Sequence, residues 1–495
     1  MKRVFLALTA LLIGCSGDDD ERAAIDDCYG GLECRFVEVP QVHAAPGGKT
    51  IGIKLVIAHP PSGAAVPGAA PILYLEGGPG GSIEADAKAG LALENVAAAF
   101  GRDFVLLEQR GNLLSRPALD CGVRDLDPDP GAVQSCAAKY QSLGYRIESF
   151  NTVENAHDIE DVRVALGASK VILWGGSYGA ELAQTAARLH PDSIAGMLLE
   201  SSAMSGRPYR PFEQMRAQPI KLAAFLADLT TSCPLNPTCA AEMPDLDAAA
   251  ELALFQQRVA TAPFTLLPGL VIDSAEIAKS LVLVSMYGIP NAVLVMRMMY
   301  AANHDQLARF DQIRVGEASA RDHIARIISF ASVNRTSNLV YDCYDTVLNW
   351  TDEGLAKQLE DFPAEARPEL DAQIAARRKM CAALPPASVP QSELAVATVT
   401  SVPTIFFHGG FDWPTPLENV TADLPHFSRA QLVTVPCAGH GIQSVVPGLF
   451  LLTASQFFSQ VDSDSFTGDL VSIGFTTYCD TARDDLLFVE RPVER

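Results

Sequence analysis

The sequence predicts an α/β architecture: a mostly parallel sheet with helices on both faces, interrupted after its sixth strand by a helical cap. Two observations carry this. Short β-rich apolar runs alternate with helix-patterned stretches, and strand–turn–helix units in succession build a parallel sheet covered on both sides. The rhythm breaks between about residues 203 and 396, where the chain reads as helical and irregular, and returns at 402. Return of the strand pattern makes the intervening stretch an insertion, because a separate second domain would orphan the last strands.

Taken in order, "TIGIKLVIA" (50–58) alternates like an antiparallel strand. "PILYLE" (71–76), "DFVLLE" (103–108), "KVILWG" (170–175), "AGMLLES" (195–201), "VPTIFFHG" (402–409) and "AQLVTV" (430–435) are short continuous apolar runs, as expected of strands buried on both faces. Between them, 152–167 reads as a helix with a Thr152 cap and a Gly167 stop, and 180–191 as a helix halted by Pro191. Stretches such as "NAVLVMRMMYAANHDQLARF" fill the insertion with helical pattern. The expected organisation is therefore a first core segment at 36–203, a cap at 204–396 and a second core segment at 397–495.

The chain has 495 residues, more than a single hydrophobic core usually holds, so an insertion of this size is natural. A net charge of −22 argues against nucleic acid or anionic lipid as a partner surface. The first residues, "MKRVFLALTALLIGCSGDDD", place Lys2 and Arg3 before an apolar run too short to span a bilayer, which reads as a signal peptide over 1–14. Leu12-Ile13-Gly14-Cys15 resembles a bacterial lipobox, with Cys15 as the lipidated residue and 15–35 as an acidic tether; a plain secretory signal with an incidental cysteine is the alternative. The reading is an exported protein, lipid-anchored in a bacterial envelope on the periplasmic face or the outer membrane, with Ser16 leaning toward the latter. The membrane is touched only through that anchor.

Ten further cysteines form an even set, which behind a signal peptide implies disulfides. Local pairing suggests Cys28–Cys34, Cys121–Cys136, Cys233–Cys239, Cys343–Cys381 and Cys437–Cys479. No Cys-x-x-Cys occurs among these cysteines, so no metal is expected.

Chemistry concentrates around Ser177. In "VILWGGSYGAELA" (171–183) it stands between an apolar strand and a helix, with Gly175 and Gly179 as the small flanks a sharp turn needs. A nucleophilic serine needs a base, and the base an orienting carboxylate. Asp412 in "GGFDWPTP" and His440 in "PCAGHGI" follow the last two strands in the order Ser, acid, His. His408 is a rival base, but it lies within its strand and reads as buried. In "YLEGGPGGS" (74–82), Gly77 and Gly78 follow a buried strand and can present N–H groups toward the serine; Gly78 with the Tyr178 N–H forms the expected oxyanion hole.

These segments, with "LLEQRGNLLSRPALDC", "DIEDVRVALG", "WGGSYG", "FHGGFDWPTP" and "AGHG", resemble the proline iminopeptidase and tripeptidyl aminopeptidase branch of the α/β-hydrolase superfamily, from about residue 36 to 480. The resemblance implies an α/β-hydrolase fold with a substrate-selecting cap, the triad roles on Ser177, Asp412 and His440, no cofactor, and cleavage of short peptides from a free N-terminus. Arg110 in "EQRG" matches the family's Asp-x-Arg-Gly loop, with a surface ion pair as the other reading. Glu76 stands where many relatives carry His, and Glu108 where Asp is more usual. An exopeptidase needs carboxylates to hold the substrate's ammonium group; Glu200, Asp345 and Glu76 are the candidates. The runner-up function is an esterase for small acyl esters using the same triad, and a third reading is a catalytically silent surface-binding lipoprotein.

Overall fold

The computed structural model describes residues 28, 32–88, 91–122, 129–315, 318–328, 333–442 and 447–468. The leader, Cys15, most of the tether and Cys479 lie outside the described residues. Among the described residues no helix is long and apolar enough to cross a membrane.

Eight strands form one sheet: β1 (Glu33–Pro40), β2 (Thr50–Ala58), β3 (Ile72–Leu75), β4 (Phe104–Leu107), β5 (Val171–Gly176), β6 (Ile194–Glu200), β7 (Thr404–Gly409) and β8 (Ala430–Val435). Their spatial order is β1-β2-β4-β3-β5-β6-β7-β8. β2 runs antiparallel to β1 and β4, and every pairing from β4 to β8 is parallel. This is the predicted architecture, with one addition. β1 was absent from the sequence reading; it pairs with β2 in a continuous register from Glu33↔Ile57 to Pro40↔Thr50.

Alternation along the central strands divides two cores. Leu73, Leu75, Val171 and Leu173 face one layer, which holds helices α1 (Thr152–Ala165) and α2 (Tyr178–Leu189). Ile72, Ile172, Trp174 and Leu198 face the other, against the Leu91–Phe100 and Pro447–Asp462 helices. Both faces of the sheet are thus covered, as continuous apolar strands require. Asn151, and not Thr152, caps α1: its side chain accepts the Glu154 N–H at 3.0 Å. The Thr152 hydroxyl is used elsewhere, as described below.

The insertion after β6 is helical, with two short hairpins, Phe264–Leu267 with Leu270–Ile272 and Arg314–Val315 with Ala318–Ser319. It does not pack as one body. Leu222, Phe225, Phe255, Ile324 and, from α4 (Ile289–Asn303), Val293 and Met298 belong to a core of their own. Beyond it, α5 (Arg335–Asp345) and α6 (Arg367–Cys381) place Leu339, Tyr341, Tyr344, Trp350 and Met380 in the main core beside the sheet. Between β6 and these, α3 (Arg210–Ser232) joins both, with Phe212 in the main core and Phe225 in the cap core. The separate cap is therefore narrower than 204–396: apolar burial assigns 335–384 to the main core itself.

Among the described residues four of the expected disulfides are present, Cys28–Cys34, Cys121–Cys136, Cys233–Cys239 and Cys343–Cys381, the last tying α5 to α6; the fifth expected bridge involves Cys479, which lies outside them.

Candidate active site

Ser177, Asp412, His440 and Gly77 all follow the C-terminal ends of parallel strands β5, β7, β8 and β3, the edge where ligands gather in open α/β sheets. Ser177 occupies the turn between β5 and α2 with φ 55° and ψ −119°, a backbone region a serine rarely adopts. The turn is possible because its flanks lack side chains. A Cβ on Gly179 would lie 2.0 Å from the Leu75 carbonyl oxygen, and one on Gly175 would lie 2.4 Å from that of Gly179. The Ser177 N–H donates to Glu200 O at 2.9 Å and its carbonyl accepts from Ala203 at 3.1 Å, so the strained turn is held from both sides.

His440 Nδ1 lies 3.0 Å from Asp412 Oδ1 and 3.1 Å from Oδ2. Asp412 is fully buried. Burial opposes its ionisation, but the His440 charge and hydrogen bond, with lesser help from His408 and the Thr415 N–H, outweigh it and hold the carboxyl down at about 2. Thr415 completes the shell, its N–H donating to Oδ1 at 3.0 Å and its hydroxyl to Oδ2 at 2.9 Å. The sequence reading missed Thr415; a hydroxyl residue three positions after the acid was the only signal. Among the described residues no hydrogen bond joins Ser177 Oγ to His440. Such contacts commonly tighten only with substrate bound. His408 is completely buried, with Nε2 against the Thr415 carbonyl oxygen at 2.5 Å, and burial lowers its pKa. It sits behind Asp412, with Nε2 3.6 Å from Oδ2.

On the oxyanion side, a Cβ on Gly77 would lie 3.6 Å from Ser177 Oγ, which puts this loop against the serine. The Gly77 N–H, however, donates to Glu76 Oε1 at 3.0 Å and is occupied. Among the described residues no hydrogen bond takes the Gly78 N–H, and Tyr178 opens α2, where first-turn N–H groups lack helical acceptors. The insertion braces this loop: Asn334 N donates to Gly80 O at 2.7 Å and Asn338 Nδ2 to Pro79 O at 2.8 Å.

The three carboxylates expected to hold an ammonium group fare differently. Glu200 is buried and takes the Trp174 indole N–H at 2.5 Å. Asp345, also buried, accepts from the Thr152 hydroxyl at 2.6 Å, and that hydroxyl meets Tyr178 Oη at 2.6 Å. Burial pushes Asp345 up to about 7. Both are committed to holding the fold around the elbow. Glu76 remains half-buried at the mouth of the oxyanion loop; burial, then the neighbouring Asp86 carboxylate, raises it to about 6.

Two loop residues are structural. Glu108 is fully buried, accepts the N–H groups of Ile83 and Leu114 at 2.9 Å each, and is raised to about 7 by burial. Arg110 is no surface ion pair: wholly buried, it takes both Asp158 oxygens at 2.7 and 2.5 Å and donates to the carbonyls of Pro40, Gln41 and Ser149. His43, Asp158 and Asp161 converge closely enough to hold a cation among the described residues, but the Arg110 guanidinium already fills the Asp158 carboxylate.

Residues 70–239 match the alpha/beta hydrolase fold family. Together with the strand order, this settles the architecture. The chain has the α/β-hydrolase fold. The chain is 29% identical over 218 residues to a tripeptidyl aminopeptidase of Streptomyces lividans, a match covering 39% of this chain and 40% of that protein. It is 29% identical over 133 residues to a proline iminopeptidase of Neisseria meningitidis, covering 27% and 33%. The chain thus spans well under half the length of the curated relatives it matches. Among solved structures, the proline iminopeptidase of Mycobacterium smegmatis aligns over 87% of this chain at 14% identity with a TM-score of 0.39.

Proposed function

We propose that this hydrolase is a serine aminopeptidase, releasing residues or short peptides from free N-termini. The observation that carries the serine chemistry is the buried Asp412 carboxylate held on His440 Nδ1 at 3.0 Å, on loops beside an elbow that sets Ser177 at φ 55°. His440 Nε2 takes the Ser177 proton as Oγ attacks the substrate carbonyl, and Asp412 stabilises the resulting imidazolium. The N–H groups of Tyr178 and Gly78 receive the oxyanion; Gly77, whose N–H is taken by Glu76, does not. His440 then protonates the leaving amine, and water, activated by the same imidazole, hydrolyses the acyl-enzyme. With Glu200 and Asp345 committed to Trp174 and Thr152, the Glu76–Asp86 pair is the acceptor for the substrate ammonium. Export and a Cys15 lipid anchor belong to the same proposal, and loss of labelled acyl chain in Cys15→Ser tests them.

The deciding experiment is hydrolysis by the full-length protein of free-amine Pro-, Ala- and tripeptidyl-anilides, their N-blocked versions and short-chain nitrophenyl esters, with Ser177→Ala as control. Cleavage confined to free-amine anilides and lost in Ser177→Ala is the expected result. Serine-dependent ester turnover with no anilide cleavage would make the protein an esterase. Failure of a fluorophosphonate to label folded wild-type protein would remove the serine mechanism.

A further inference from the structure

Beside the oxyanion loop lies a cavity of about 180 Å³, lined by Gly78 and Pro79 on one wall and by α3, α5 and α6 on the others. Three arginines line it, Arg210 from α3, Arg335 from α5 and Arg377 from α6, against a single carboxylate, Asp342. This is a concentration of positive charge in a chain whose net charge is −22.

The three guanidiniums are not equally occupied. Arg210 is bound by Glu181 through Nη1, and Arg377 Nη1 reaches Asp342 Oδ2 at 3.2 Å. Arg335 is half-buried and has no hydrogen bond or ion pair among the described residues. A guanidinium half withdrawn from water and left without an anion is poorly placed for stability alone, because ordering it has a cost that no contact offsets. It shares one face of α5 with Asn338, Leu339 and Asp342, which also line the cavity.

We propose that this pocket receives a carboxylate of the substrate, gripped by Arg335 with Arg377 and Arg210 behind it. The inference rests on the peptidase reading above and narrows its substrate class. Gly78 borders the pocket, and its neighbour Gly77 abuts Ser177, so a bound carboxylate sits a short way along the chain from the bond being cut. Substrates are therefore short peptides carrying a negative charge close to the scissile bond, supplied by the C-terminal carboxylate or by an acidic side chain. A volume of this size suits one chain end or one side chain, being below that of a drug-sized ligand pocket. A guanidinium paired to a carboxylate in a fork adds geometry as well as charge.

The test is calorimetric binding to full-length Ser177→Ala of three tripeptides with free N-termini: a neutral peptide as its C-terminal acid, the same peptide as its amide, and an amide bearing one glutamate. The acid or the glutamyl amide should bind about 10–100-fold tighter than the neutral amide, as one or two charge-assisted hydrogen bonds allow. Adding Arg335→Gln should abolish that preference and leave the neutral amide unchanged, while Arg335→Lys should keep part of it. Which charged peptide is preferred tells the C-terminal carboxylate from the acidic side chain. Equal affinity for all three, a preference that Arg335→Gln does not move, or no binding of any of them would overturn the proposal. Turnover separates this from the peptidase reading. Wild-type cleavage of neutral amides with no charge preference sinks the pocket alone; an Arg335-dependent binding preference without any cleavage sinks the peptidase alone.

Discussion

The Thr415 hydroxyl lies 2.9 Å from Asp412 Oδ2 and 3.2 Å from His440 Nδ1, so one side chain touches both the acid and the base of the proposed triad. It also stands 2.8 Å from Ser201 O, and its single proton serves one acceptor at a time. With its N–H on Oδ1, Thr415 thereby offers a donor to each oxygen of the carboxylate. Thr415→Val should lower kcat about 10-fold with little change in KM, the value of one hydrogen bond to a charged group. Steady-state kinetics beside a thermal melt checks it, since an intact Tm with lost kcat separates positioning from unfolding.

Asp412→Asn should cost more. The amide can hold the imidazole in the wrong tautomer and cannot stabilise the imidazolium, a change worth about 10⁴-fold in kcat in serine hydrolases of this logic. Nitrophenyl ester hydrolysis across pH 5–9 reads this. Activity within 10-fold of wild type would remove Asp412 from the mechanism.

Gly439 meets the cap where it covers the histidine loop: a Cβ there would lie 1.7 Å from the Met286 carbonyl oxygen, and two residues on the Gly441 N–H donates to Tyr287 O at 2.6 Å. The Tyr287 ring stands edge-on to His440 at 4.7 Å. Gly439→Ala must push the cap and this loop apart. A loss of about 1–3 kcal/mol in stability, as for overpacked sites, together with reduced kcat is expected from denaturation and rate measurements.

The Cys343–Cys381 bridge closes 38 residues between α5 and α6. Replacing both cysteines by serine should lower stability by about 4 kcal/mol on the loop-entropy account. The urea midpoint should fall accordingly, and because α5 braces Gly80 and Pro79, hydrolysis should become heat-sensitive at a lower temperature.

Asp345 gives stability a pH dependence of definite sign. Burial raises its folded value to about 7 from an ordinary value of 3.8, so the native state holds this proton more tightly than the unfolded chain does. Its contribution is complete below about pH 4 and is lost as pH rises through 7. Asp345→Asn removes the titration. Relative to that variant, wild type should lose up to about 4 kcal/mol between pH 4 and 8. Parallel stability curves for the two proteins would rule the effect out.

The central strands, the elbow and the acid and base loops were legible because each is written locally: an apolar run, a glycine pair, a turn. Long-range partners were not. Nothing near Asp345 announces Thr152, nor does Trp174 announce Glu200, and both carboxylates looked available until their donors were placed. Arg110 read equally well as a surface residue, since four of its acceptors lie 39 to 70 residues away along the chain. β1 was overlooked although "RFVEV" alternates, because its pairing depends on the length of the turn to β2. Residues 335–384 carry the helical period of a cap yet pack as core; period alone does not say which body a helix joins.

The way α5 and α6 fill the main core bears on how this protein can be rebuilt. Specificity in enzymes with inserted lids invites exchange of the whole insertion as a cassette. Here that cut would remove Tyr341, whose hydroxyl donates to Arg110 O, and Asn334, which binds the carbonyls of Gly111 and Leu119. A recombinant graft should therefore trade only the independently packed segment, from the second half of α3 to about residue 324, and retain everything from Asn334 onward as scaffold.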